Sequence, residues 1–103
     1  MRQFDVWWAE LKAPIGRRPV VLLTRTSALS YLSRCIVAEV TTIVRGIPQE
    51  VPLGPAEGLS RRCVANLDNI GLIESERLLE HIGNMPANRW SEVCAAMAHV
   101  IAC

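Results

Sequence analysis

Arg17 and Arg18 stand side by side in the stretch G-R-R-P-V-V-L-L-T-R, which runs from Gly16 to Arg25. Two guanidiniums on a rigid element can hold a phosphate or a carboxylate through bidentate hydrogen bonds. The residues immediately after them supply that rigid element. Pro19 has no backbone N–H and belongs at the first position of a strand or on an edge. Val20-Val21-Leu22-Leu23 is an apolar run too short for a helix, which predicts a strand covered on both faces. Arg17 and Arg18 then lie at the mouth of the most buried strand, and Arg25 leaves it at the far end. The plainer reading is a pair of solvated loop arginines, since surface arginines mostly are just that.

Other side chains could move protons. Glu39 and Thr41 fall at i and i+2 of the run R-C-I-V-A-E-V-T-T-I-V, Arg34 to Val44, and so share one face of an extended strand. Glu39 is either an acid or base there or a solvated, salt-bridged carboxylate. His81 offers an imidazole, or is simply a packed or surface histidine. Metal chemistry finds little support. Cys35, Cys63, Cys94 and Cys103 include no C-x-x-C pair, and neither His81 nor His99 has zinc-ligand spacing to a cysteine. On one helix Cys94 and Cys103 would lie about 13.5 Å apart, too far to bridge. The thiols read as reduced and mostly buried, with no metal or cofactor expected.

With 103 residues the chain is expected to form one domain, 1–103, burying roughly 65% of its unfolded surface. Half of the residues are apolar and a fifth are charged, which argues against disorder. Eleven basic against ten acidic side chains, net +1, exclude a blanket polycation but leave room for nucleic acid in one local basic groove. The N-terminal M-R-Q-F-D-V-W-W has no signal-peptide pattern, and no apolar run approaches the roughly 20 residues of a membrane span. The expectation is a cytoplasmic protein with no membrane partner.

Strands and turns along the chain must position these side chains. Phe4 to Leu11 reads as a strand whose adjacent Trp7 and Trp8 point to opposite faces, one into the core, the other to a subunit contact or a base-stacking surface. Lys12 to Gly16 is a loop before the central strand. Thr26 to Leu32 reads as a helical turn capped by Thr26 or Ser27. The strand Arg34–Val44 turns at Arg45-Gly46-Ile47-Pro48 into a short strand, Gln49 to Leu53. After a loop, Cys63 to Leu67 and Gly71 to Ile73 read as short strands around Asp68-Asn69. Ser75 to Arg77 makes a turn and Leu78 to Ile82 a strand. From Pro86 to Ile101, Trp90, Val93, Cys94, Met97, Val100 and Ile101 recur at helical spacing. Short strands with one terminal helix predict a small, bent β-barrel closed by that helix.

The three segments R-R-P-V-V-L-L-T-R, V-A-E-V-T-T-I-V-R-G-I-P-Q-E-V-P-L-G and C-V-A-N-L-D-N-I, in this order and at these separations, resemble the MazF/PemK (Kid-like) family of bacterial toxin endoribonucleases. The likeness runs from about Asp5 to the terminal helix. It implies a mainly β, SH3-like barrel with a C-terminal α-helix, a homodimer, and metal-independent, sequence-specific cleavage of single-stranded RNA. The family's catalytic arginine falls on Arg18 and its catalytic threonine on Thr41. Many relatives place a glutamate in a longer loop before the R-P motif, which is here cut to Pro14-Ile15-Gly16-Arg17. Kid-like members use an aspartate that falls on Asp68, read here as a base or 2′-hydroxyl orienter, or as a turn aspartate bonded to its own backbone. Relatives often show A-P-I-T where this chain has A-E-V-T.

RNA binding would then engage Arg17, Arg25, Thr42, Arg45, Asn66 and Asn69, which can hydrogen-bond phosphates or splayed bases. The resemblance also implies a cognate, MazE-like antitoxin whose acidic, disordered tail covers the groove. Two alternatives stay in view: a non-catalytic toxin of the same fold, such as a CcdB-like gyrase poison, and a nucleic-acid-binding SH3-like module.

Overall fold

The computed structural model describes residues 1–101, so Cys103 lies outside the described residues. Six antiparallel strands, β1 (Asp5–Glu10), β2 (Arg17–Leu22), β3 (Arg34–Thr41), β4 (Glu50–Leu53), β5 (Cys63–Glu74) and β6 (Leu78–Asn84), form one sheet in the order β4-β5-β3-β2-β1-β6. A short helix, α1 (Thr26–Leu29), links β2 to β3, and the chain closes with α2 (Trp90–Ile101). The sheet curls into a half-barrel with α2 lying against β4 and β5.

Strand alternation sends β2 into two cores at once. Val20 and Leu22 pack on one face with Ala9, Leu11, Leu29, Cys35 and Val37. Val21 packs on the other with Val6, Ala38, Val40, Leu67, Met85 and the helix residues Val93 and Ala96. The two-sided burial expected of the central strand is therefore present, and Pro19 sits opposite Trp8 where β2 pairs with β1.

Several boundaries differ from the sequence reading. Strand β3 ends at Thr41 rather than Val44, because Thr42 to Pro48 leave the sheet. Cys63–Leu67 and Gly71–Ile73 are not separate strands but one twelve-residue strand, β5. The Asp68-Asn69 signal marks a bulge inside it: Glu39 pairs with Asn66 and Ala38 with Ile70, leaving residues 67–69 without a partner on β3. Such a bulge bends a long strand. Neither Thr26 nor Ser27 caps α1; its N-cap is Arg25, and the Thr26 hydroxyl accepts a hydrogen bond from the Gln3 N–H instead. Helix α2 begins at Trp90 after a 3-10 turn at Ala87–Arg89. Val93 and Ala96 are buried, and Met97 and Val100 of the expected stripe pack partly buried against the same core, whereas Trp90, Cys94 and Ile101 are exposed. Cys94 thus departs from the expectation of buried thiols, which holds for Cys35 and Cys63.

The free edges of the sheet approach each other without pairing. The 3-10 turn Pro55–Glu57 after β4 packs against β6 so closely that a Cβ on Gly83 would collide with the Glu57 carbonyl. A Cβ on Gly58, at φ +92°, would fall 2.6 Å from the Ile82 carbonyl oxygen. The Glu57 carboxylate, almost fully buried, accepts from the Gly54 N–H (2.7 Å) and from Arg89 Nη1 (3.0 Å). Arg89 also donates to both oxygens of Glu92 (2.9 and 2.7 Å) and to the Pro52 carbonyl (2.6 Å). One guanidinium thereby ties the start of α2 to the end of β4.

Arg89→Ala leaves the Glu57 charge buried without its partner, and equilibrium urea unfolding should show a loss of about 3 kcal/mol. Gly83→Ala should cost about 1–3 kcal/mol by overpacking. The same clamp carries a pH signature. The hydrogen bond from Arg89 holds the Glu92 carboxyl below its ordinary value. Its stabilisation is complete above the unfolded carboxylate range and is lost as pH falls through the lowered value. Glu92→Gln should therefore flatten part of the acid limb of the stability–pH curve.

Candidate functional site

The β2–β3 register places Val20 opposite Glu39, so Arg18, two residues earlier on β2, is the diagonal neighbour of Glu39. A long side chain spans that diagonal. Arg18 Nη1 donates to Glu39 Oε1 at 2.9 Å. Thr41 follows on the same face of β3, and Asn66 lies beside Glu39 across the β3–β5 ladder. These side chains, with Ile43, Arg45 and Asn69, line a cavity of about 150 Å³. It sits where the core containing Val20 and Val37 ends and the sheet face opens to solvent.

The loop that completes the cavity is held by one carboxylate. Glu50 on β4 accepts from the N–H groups of Arg45 (3.1 Å) and Gly46 (2.9 Å). The Thr41 hydroxyl accepts from the Ile43 N–H (3.1 Å), which leaves its own O–H free to donate outward. On the bulge, Asn66 Oδ1 accepts from the Asp68 N–H (3.0 Å). The turn-like bond expected of Asp68 is thus made by the Asn66 side chain.

Of the residues singled out from the sequence, Arg18, Thr41, Arg45, Asn66 and Asn69 meet in this cavity. Asp68 does not line it and is exposed on the bulge. Arg17 is exposed, with its guanidinium 5.9 Å from the centre of the Trp8 ring. Arg25 is remote: it flanks α1 beyond the other end of β2 and donates to the Tyr31 hydroxyl at 3.2 Å. Of the four arginines named from the sequence, Arg18 and Arg45 therefore share the cavity, while Arg17 and Arg25 do not line it. His81 lies on β6, 3.7 Å from Asp5 and edge-on to Trp7, outside the cavity.

Trp7 and Trp8 point apart as alternation requires. Trp7 packs on the core that holds Val20 and Leu22. Trp8 lines a second cleft of about 250 Å³ with Pro19, Leu59, Arg61 and Ile82, which shares Thr41 with the first. Thr42 lines this second cleft and not the first. No sequence signal announced it, because Leu59 and Ile82 come from elements far apart in the chain.

The Arg18–Glu39 pair is partly open to water, with the side chains 36% and 15% exposed. The contact is itself a hydrogen bond between charged groups, worth about 1.5–3 kcal/mol, but it engages one guanidinium N–H, and an oxyanion offers the fork two acceptors. An arriving oxyanion can therefore take Arg18 from Glu39. Thiolate chemistry is disfavoured, since burial pushes the thiols of Cys35 and Cys63 up from their ordinary values. Among the described residues no group of three or more His, Cys, Asp or Glu side chains could hold a metal ion.

A family model described as "PemK-like, MazF-like toxin of type II toxin-antitoxin system" matches residues 2–101. The chain is 38% identical over 100 residues, 96% of its length and 91% of the relative's, to a Mycobacterium tuberculosis protein named "Probable endoribonuclease MazF5". Among solved structures it is similar to the Mycobacterium tuberculosis toxin MazF-mt6, with a TM-score of 0.90 and 31% identity over 95% of this chain and 96% of that one. The fold also matches a mycobacterial endoribonuclease in complex with its cognate antitoxin, at TM-score 0.84, 20% identity, and coverage of 99% and 95%.

Removing the carboxylate should leave Arg18 more available to anions. Glu39→Gln should bind inorganic phosphate at Arg18 about fivefold more tightly than the parent, the equivalent of about 1 kcal/mol. A titration of the arginine side-chain NMR signals measures it.

Proposed function

The chain belongs to the PemK-like, MazF-like family of type II toxin–antitoxin toxins, and from that premise we propose that the Arg18 cavity is its RNA-cleaving site. It is an endoribonuclease toxin that arrests translation and growth by cutting single-stranded RNA. The observation that carries this reading is the meeting of Arg18 and Thr41 in one cavity beside Asn66, Asn69 and Arg45. A protein that only bound nucleic acid or gyrase would have no need of that pairing.

The chemistry requires little of the protein beyond placement. A ribose 2′-hydroxyl attacks the adjacent phosphorus, giving a 2′,3′-cyclic phosphate and a 5′-hydroxyl. The cleavage proceeds without a metal ion. Arg18 supplies a permanent cation and a planar donor fork for the phosphoryl oxygens. Thr41, fixed at the end of β3, donates its hydroxyl to the same charge as it builds in the transition state. Asn66, Asn69 and Arg45 hold the neighbouring nucleotides, while Arg17 and Thr42 meet the strand outside the cavity. Asp68 can contact the strand only from the bulge, and Arg25 adds no more than distant positive charge.

Partners follow from the same premise. A cognate antitoxin with an acidic, apolar tail lies over Arg18 and Arg45 and blocks RNA. Two copies of the chain pair, using the apolar surface that Trp90 and Ile101 leave exposed on α2. Among the described residues no helix is long and apolar enough to cross a membrane, and a toxin that cuts message would act in the cytoplasm.

Purified protein incubated with a long single-stranded RNA in EDTA should release fragments ending in a 2′,3′-cyclic phosphate. Arg18→Ala and Thr41→Ala should each slow cleavage by at least about 10²–10³ with an unchanged circular dichroism spectrum. Arg18→Lys should recover little, since it loses the fork. Near-parental cleavage by either alanine variant refutes the site. A tail that folds on binding relies on apolar anchors as well as charge. Antitoxin should therefore displace an uncleavable RNA, and added salt should weaken the RNA more than the antitoxin.

A further inference from the structure

We propose that Glu39 is the general base of the cleavage step, an assignment that rests on the RNA-cleaving reading of the cavity. Among the described residues that line the cavity, Glu39 is the one with a carboxylate or an imidazole. The other candidates are placed elsewhere. The Glu50 carboxylate is occupied by the N–H groups of Arg45 and Gly46. Asp68 stands outside on the bulge, and His81 lies against Asp5 and Trp7. Glu39 is also held in place. It is on a central strand, between Ala38 and Val40, both of which are buried in the core.

The ion pair makes the base conditional on substrate. In the free protein Arg18 Nη1 holds Glu39 Oε1 at 2.9 Å. A bound phosphodiester gives Arg18 two oxygens in place of one and draws the fork toward the phosphorus. The carboxylate is then released beside Thr41, where the reacting ribose must lie if Thr41 donates to the phosphoryl oxygen. The 2′-O–H bond breaks with its proton passing to Glu39, and the O2′–P bond forms. The P–O5′ bond then breaks, and the departing 5′-oxygen takes a proton from water. Glu39 returns its proton to solvent and recaptures Arg18. The charged groups that line the cavity with Glu39 are Arg18 from β2 and Arg45 from the loop after β3; Glu50 on β4 lies across Asn66 of β5 from it, and Asp68 is exposed on the β5 bulge.

The test compares the parent with Glu39→Gln and Asp68→Asn over a range of pH, in cleavage of one RNA and in binding of its analogue with a 2′-deoxyribose at the scissile position. The parent should gain cleavage rate as a carboxylate ionises. Glu39→Gln should lose that acid limb and about 10²–10⁴ in rate, yet bind the analogue at least as tightly as the parent, because Arg18 is free. Asp68→Asn should keep the limb. Formate should restore part of the rate to Glu39→Ala, a response that a purely structural side chain does not give. Glu39 is overturned if Glu39→Gln cuts within tenfold of the parent, if its acid limb persists, or if Asp68→Asn loses the limb instead. A parent that leaves every RNA intact overturns the cleavage reading itself, and the base with it.

Discussion

A single curled sheet in a chain of 103 residues has to bury both of its faces, and that demand falls hardest on β2. Val20 and Leu22 are committed to one core and Val21 to the other, so the strand can neither slide by a residue nor rotate. A one-residue slip would exchange its two faces completely. This fixes the register with β3, and the register places Arg18 diagonally across from Glu39 and on the same face as Thr41. The proposed cleavage site inherits its precision from a strand whose apolar side chains do no chemistry.

The remaining parts of the site are placed by departures from regularity. The bulge at residues 67–69 lets β5 serve two partners, pairing with β4 and the end of β3 before it and with the start of β3 after it. The same irregularity turns Asn69 into the cavity and leaves Asp68 outside it. On the other side, the Glu50 carboxylate gathers the N–H groups that come after Thr42 and sets the loop carrying Arg45. Backbone groups that no strand pairs are thereby satisfied and used to shape the rim.

Electrostatics divides the molecule into two kinds of ion pair with opposite purposes. Arg89 and Glu57 are largely buried and joined to backbone groups on both sides, so breaking them is costly and the pair is permanent. Arg18 and Glu39 are partly open to water, so solvent and solutes can reach the guanidinium. The difference lies in burial and not in distance, since the two contacts measure 3.0 and 2.9 Å. One closes the sheet edge against α2, and the other keeps a cation and a carboxylate ready beside Thr41.

What the sequence determined alone is local or periodic. The short apolar run behind Pro19 is enough to require a strand buried on both faces, and the i, i+2 spacing of Glu39 and Thr41 is enough to put them on one side of β3. The order of three segments is enough to indicate the family, and the resemblance proposes Arg18 and Thr41 as the reactive pair. Tertiary structure decided whatever depends on how distant strands meet. The Asp-Asn pair reads as a turn in isolation, but an extended strand alongside it absorbs the irregularity as a bulge, which removes Asp68 from the cavity. Arg25 stays at the far end of β2, where the sequence alone already puts it, and tertiary structure adds only its contact with the Tyr31 hydroxyl. Trp90 and Ile101 have core spacing, yet the buried line of α2 runs through Val93 and Ala96, because the curl of the sheet sets which side of the helix it meets. The Arg18–Glu39 contact belongs to the same class: both residues are visible in the chain, 21 positions apart, but only the β2–β3 register makes one the partner of the other.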